Sequence, residues 1–249
     1  MTEWQTFGTL LKKALNLELE PVGISIIQGS LPVPEQSRVR ICKAFIDAAN
    51  GQSFKINREN NACFGAAWHL GFHQLEKDSK VMGMVRKFVV EGEKLFASYD
   101  ALDALMSQIE DVPNHSESYF YLSPLEQCPT QPQLVIFVCN PEEACRLLTL
   151  SQFADGVMPK IKIGGPTCRL ALIYPLLSGE VNVSFYDYTA RKICNVDKDK
   201  LLVSIPYKKM PQIIQSIEKC TAGTAKMEYP AEFREFLQKR LSAQQLKKE

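Results

Sequence analysis

The sequence predicts an α/β fold, a central sheet with helices packed around it, and leaves a mixed α+β arrangement open. Three observations predict it. Short apolar runs of strand length alternate with stretches of helical spacing along nearly the whole chain. One run, residues 134–138, is continuously apolar and is followed at once by Pro141 and a helical pattern through residue 150, as for a strand covered on both faces. The composition, 45% apolar and 23% charged, is that of an ordinary globular core and surface.

Taken in order, Trp4, Phe7, Leu10, Leu11, Ala14 and Leu15 recur at the spacing of an amphipathic helix that Pro21 closes. Residues 22–27 read as a strand, followed by a loop with Gly29, Pro32 and Pro34. A helix is predicted over 38–49, a short strand over 53–56, and a helix over 62–71 with Asn60 and Asn61 as N-caps. Ser98 caps a helix with the stripe Leu102, Leu105, Met106 and Ile109, and 119–122 alternates like a strand. After the 134–150 unit come a β-like stretch at 161–163 and a glycine turn into a helix with Pro175 near its end. Strands are predicted at 181–185 and 201–205, and helices at 211–219 and 231–241, the last with Phe233, Phe236, Leu237 and Leu241 on one face.

A chain of 249 residues suits one large domain, 1–249, with two tightly packed lobes of about 1–115 and 116–249 as the alternative. The formal net charge is +1, from 29 basic and 28 acidic residues, so no bulk field draws nucleic acid or an anionic membrane surface. No apolar run approaches the roughly 18 residues of a membrane span, and the first residues lack a secretory pattern. A cytoplasmic location is expected. In that reducing setting the eight cysteines are not structural disulfides; they are buried apolar groups or metal and redox groups.

Two cysteines stand at predicted helix starts. Gly164, Gly165, Pro166, Thr167 and Cys168 form a glycine turn into a helix, where free amides and the helix dipole favour negative charge and a lowered thiol pKa. Gly164, Gly165 and Thr167 are therefore candidates for holding a cofactor or anion, unless the turn serves packing alone. Cys63 follows Asn60 and Asn61, and Gly65, Ala66 and Ala67 after it would let a cofactor or another backbone approach closely. Cys42 lies on an apolar helix face and reads, by itself, as a buried hydrophobe. Cys139 ends a strand just before the helix start at Asn140 and Pro141, where ligands gather in α/β folds. Cys145 reads as core, and Cys128, Cys194 and Cys220 as loop or surface. His69 and His73 share a helix face only if that helix continues past Gly71, and His115 reads as solvated. The chain has no Cys-x-x-Cys, which excludes zinc ribbons, thioredoxin-like motifs and ferredoxin spacing.

The order of short segments resembles the family called domain of unknown function 169. The matching stretches are Glu20-Pro21-Val22-Gly23, Arg40-Ile41-Cys42-Lys43-Ala44, Asn61-Ala62-Cys63-Phe64-Gly65-Ala66-Ala67, Met82-Gly83-Met84, Leu122-Ser123-Pro124-Leu125, Asn140-Pro141-Glu142-Glu143-Ala144, Thr167-Cys168 and Gly179-Glu180-Val181-Asn182-Val183-Ser184 with Arg191-Lys192. The resemblance implies a cysteine pattern like a metal–sulfur site, with Cys42, Cys63 and Cys168 on three of its positions. Many members carry a Cys-x-x-Cys pair where this chain has Asp187 and Ala190, so Asp187 is a candidate oxygen ligand and Cys139 a reserve fourth ligand.

The leading expectation is an iron–sulfur protein, with a 4Fe–4S cluster on Cys42, Cys63 and Cys168 and either Asp187 or Cys139 fourth, or one iron open. It would act in electron transfer, as in anaerobic metabolism, or in small-molecule binding, with a redox partner protein or small ligand and a homodimer as expected associations. A second reading is a metal-free enzyme or binding protein taking a small anion at 164–168, with Cys168 as nucleophile. A third is a structural protein with idle cysteines.

Overall fold

The computed structural model describes residues 1–29, 37–73, 79–109 and 111–245. The chain runs through α1 (Glu3–Ala14), β1 (Val22–Gln28), α2 (Ile41–Ala49), β2 (Phe54–Ile56), α3 (Phe64–His69) and α4 (Lys80–Lys87), which passes into a π-helical segment, Phe88–Gly92. Next come α5 (Tyr99–Met106), β3 (Ser118–Pro124), β4 (Leu134–Cys139) and α6 (Pro141–Gln152). A second π-helical segment, Arg169–Ile173, continues as α7 (Tyr174–Ser178), followed by β5 (Asn182–Ser184), α8 (Tyr188–Ile193), β6 (Leu201–Pro206), α9 (Met210–Ser216) and α10 (Ala231–Gln245).

The strands form one six-stranded antiparallel sheet in the order β2-β3-β1-β4-β6-β5, so the fold is a mixed α/β arrangement. Val22 of β1 pairs with Pro124 of β3 on one side and Ile136 of β4 on the other, so strands from both halves of the chain share the sheet. Alternation of side chains then divides the interior in two. On β4, Leu134, Ile136 and Val138 join Ile41, Phe45, Leu70 and Leu172 on one face. Val135, Phe137 and Cys139 join Leu11 of α1, Leu147 of α6 and Ile213 of α9 on the other. β4 is buried throughout, as its unbroken apolar run predicts.

Four local predictions are corrected. The helix expected from residue 38 begins at Ile41, because Val39 makes a parallel bridge to Asn61 instead. The helix expected over 62–71 has Cys63 itself as N-cap, while Asn61 Nδ2 donates to the Cys63 carbonyl at 2.7 Å. It stops at His69, and Gly71 takes φ +75°, a left-handed value that suits glycine. His69 and His73 therefore share no helix face. Residues 161–163 form no strand, because the Asn182 side chain takes both the Lys162 amide (2.8 Å) and its carbonyl (3.0 Å). The loop with Pro32 and Pro34 lies outside the described residues. Among the described residues no helix is long and apolar enough to cross a membrane.

Candidate functional site

On the sheet face covered by α2, α3 and α8 is a partly open cavity of about 600 Å³. Its lining includes Cys42, Cys63, Cys168, Cys194, His69 and Asp187. The elements explain the convergence. Ile41, Ala44, Phe45 and Ala48 anchor α2 on the sheet and leave Cys42 half-buried toward the cavity. The Val39–Asn61 bridge, with the Ala62 amide donating to the Val39 carbonyl at 2.9 Å, ties the start of α2 to the start of α3 and so brings Cys63 alongside. The turn at 164–166 drops Cys168 into the core at 5% exposure. Cys194, equally buried, ends α8.

Asp187 is held by hydrogen bonds and caps α8. Its Oδ1 accepts from the Ala190 amide at 2.7 Å; its Oδ2 accepts from the Thr167 hydroxyl at 2.6 Å and the Thr167 amide at 3.2 Å. The Thr167 hydroxyl accepts in return from the Asp187 amide at 2.7 Å. This closed pair fixes the segment before Cys168 to the segment before α8. It also places a carboxylate on the amide that an anion would use. Gly164 and Gly165 adopt φ +95° and +70° in the exposed turn. A Cβ on Gly164 would meet nothing within 4 Å, and one on Gly165 would stand 3.8 Å from Leu170 Cδ1. Their part is conformational: the left-handed turn itself.

The electrostatics differ from the helix-start expectation. Burial, then Cys63 and Asp187, raise the Cys168 thiol well above its ordinary pKa instead of lowering it. Low dielectric disfavours the thiolate more than one short turn of helix favours it. Cys42 is raised for the same reason, with Cys168, Asp187, Cys194 and Cys63 adding to burial in that order. His69 is pushed down to about 3 by burial and then by the Arg169 cation, so it is a neutral imidazole. Its Nδ1 has no hydrogen-bond partner among the described residues. An orphaned ring nitrogen in a buried wall is costly, and a ligand in the cavity would relieve it.

Among the described residues no three His, Cys, Asp or Glu side chains stand close enough to share one metal ion. Four thiols, of Cys42, Cys63, Cys168 and Cys194, line the one cavity. Cysteine thiolates are the donor type that a metal–sulfide cluster takes. Asp187 suits it poorly, because its oxygens are engaged. Cys139 is not brought to the cavity: it points to the opposite core, pushed up to about 12 by burial and then by Glu143.

Three other cysteines depart from their sequence reading. Cys128 is buried, its Sγ 3.2 Å from Ser123 Oγ. Cys220 is buried and accepts from Arg146 at 3.3 Å. Cys145 is exposed. His115 is partly buried, its Nδ1 2.8 Å from the Leu70 carbonyl. Sequence reading missed Cys194 as a cavity residue, although it stands one helical turn past Ala190, which also lines the cavity. It also missed the apolar wall of Val81, Met84, Val85 and Phe88, whose spacing of three and four residues was the available signal.

The chain belongs to the domain of unknown function 169 family, described as uncharacterised ArCR, whose model matches residues 10–216. No curated protein and no solved structure matches it.

Proposed function

We propose that this protein binds an iron–sulfur cluster, a 4Fe–4S centre in which Cys42, Cys63 and Cys168 are thiolate ligands. The supporting observation is the meeting of three thiols, from segments 21 and 105 residues apart in sequence, on one cavity beside an unpartnered buried imidazole nitrogen. Such a cluster supplies one-electron transfer when bound. The chain's own residues would do the rest. The Asp187–Thr167 pair would orient Cys168, and the Val39–Asn61 bridge would set Cys63 against Cys42. The apolar wall of Val81, Val85 and Val89 would keep water from the sulfurs. Because burial holds Cys42 and Cys168 as neutral thiols, loading would release protons and strengthen as pH rises. A redox partner protein belongs to this reading, with Phe64, Met84 and Phe88 at the cavity wall exposed at 75%, 57% and 60%. The cytoplasm, where thiols stay reduced, is the compartment it requires.

The test is anaerobic expression followed by visible absorption and iron and sulfide analysis. About four of each per chain is expected. A colourless protein with less than about one iron per chain overturns the proposal.

A further inference from the structure

We propose that Cys194 is the fourth thiolate ligand of this cluster, an inference that rests on the cluster reading above. Three observations single it out. Cys194 lines the same cavity as Cys42, Cys63 and Cys168, on the same side of α8 as Ala190. The other candidates are committed elsewhere. Asp187 spends both carboxylate oxygens on Ala190 and Thr167, and Cys139 faces the far core. Tyr186, 3% exposed, belongs to the same buried core cluster as Cys194. Its hydroxyl has no hydrogen-bond partner among the described residues. A neutral thiol is a poor acceptor for that O–H, whereas a metal-bound thiolate is a good one.

With Cys194 the site has four sulfur ligands and no open iron, the closed arrangement suited to electron transfer. His69 then lies in the wall and not on the metal.

The experiment uses the full chain, reconstituted anaerobically with ferrous iron and sulfide, as wild type, Cys194→Ala, Cys194→Ser, Asp187→Asn, Cys139→Ala and His69→Asn. Circular dichroism identifies folded variants, and Cys194→Ser decides the question if Cys194→Ala does not fold. Wild type is expected to hold about four irons and to ignore added cyanide. Cys194→Ala should lose about a quarter of the iron, or keep it and acquire a cyanide-dependent spectral change. Cys139→Ala should keep wild-type iron content and inertness to cyanide, and the iron that Asp187→Asn holds should stay inert to cyanide. Cys194 variants identical to wild type in iron content, spectrum and inertness overturn this inference and leave the cluster reading standing. So does a reactive iron that opens in His69→Asn alone. A wild type that takes no iron overturns the cluster reading itself, and this inference with it.

Discussion

Replacing Asp187 by Ala in the metal-free, reduced protein tests whether this carboxylate is a cap or a spare ligand. As a cap it holds the start of α8 through the Ala190 amide at 2.7 Å, an arrangement typically worth about 1 kcal/mol. Its other oxygen takes two donors from Thr167, and charge-assisted bonds of this kind contribute about 1.5–3 kcal/mol each when buried. Asp187 is only half-buried, so the lower end applies and the bonds are not additive. The expected loss is about 3 kcal/mol, a large part of the roughly 5–15 kcal/mol typical of a domain. The assay is urea denaturation followed by circular dichroism, repeated for Thr167→Val and the double variant. Thr167→Val alone should cost about 1–2 kcal/mol, and the cycle should show a coupling above about 1 kcal/mol. A loss below about 0.5 kcal/mol for Asp187→Ala, or additivity within that margin, would refute the cap and return Asp187 to the pool of available ligands.

Three further outcomes are expected. His69, held near pKa 3 in the fold against about 6.5 when unfolded, binds a proton first in the unfolded chain. Its contribution to stability is therefore full above about pH 6.5 and declines by up to about 1.4 kcal/mol per unit as pH falls toward 3. Denaturation of wild type and His69→Gln between pH 7 and 4 should show the pair converging on acidification, and parallel curves would contradict it. A Cβ on Gly23 would stand 2.3 Å from Cys128 Sγ, so Gly23→Ala should cost about 1–3 kcal/mol by overpacking. Adding Cys128→Ala should recover part of that loss in the same melts. Finally, iodoacetamide at neutral pH should label exposed Cys145 before Cys128 and Cys139, whose burial pushes them up to about 11 and about 12. Peptide mass spectrometry finding the buried pair labelled first would contradict their burial.

Hydrophobic spacing made most of the elements legible in advance. β4 and α6 stand as read, and the Asn140 side chain accepts from the Glu143 amide at 2.9 Å at the helix start. α1, β1 and β6 follow their apolar patterns for the same reason: periodicity is a local property of the chain. The errors fell where a side chain or a distant strand took over a backbone group. Asn182 captured Lys162 and erased an apparent strand, and the Val39–Asn61 bridge shortened the helix expected from residue 38. The exposed ring row of Tyr229, Phe233 and Phe236 at the start of α10, with centroids 5.5 and 6.2 Å apart, shows the same limit from the other side. Spacing places these side chains on one face without saying what covers it.

By itself the sequence determined the fold class, the strand buried on both faces, the absence of Cys-x-x-Cys modules and, through its segment order, the family. It also singled out Cys42, Cys63 and Cys168. Only the tertiary structure decided that these three meet on one cavity, that Cys194 joins them, and that Cys139 faces away. Burial and hydrogen bonding belong to the assembled chain. A one-residue alternation on β4 sends Cys139 to the opposite core, and a carboxylate that the family resemblance offers as a ligand is engaged by hydrogen bonds between segments 20 residues apart.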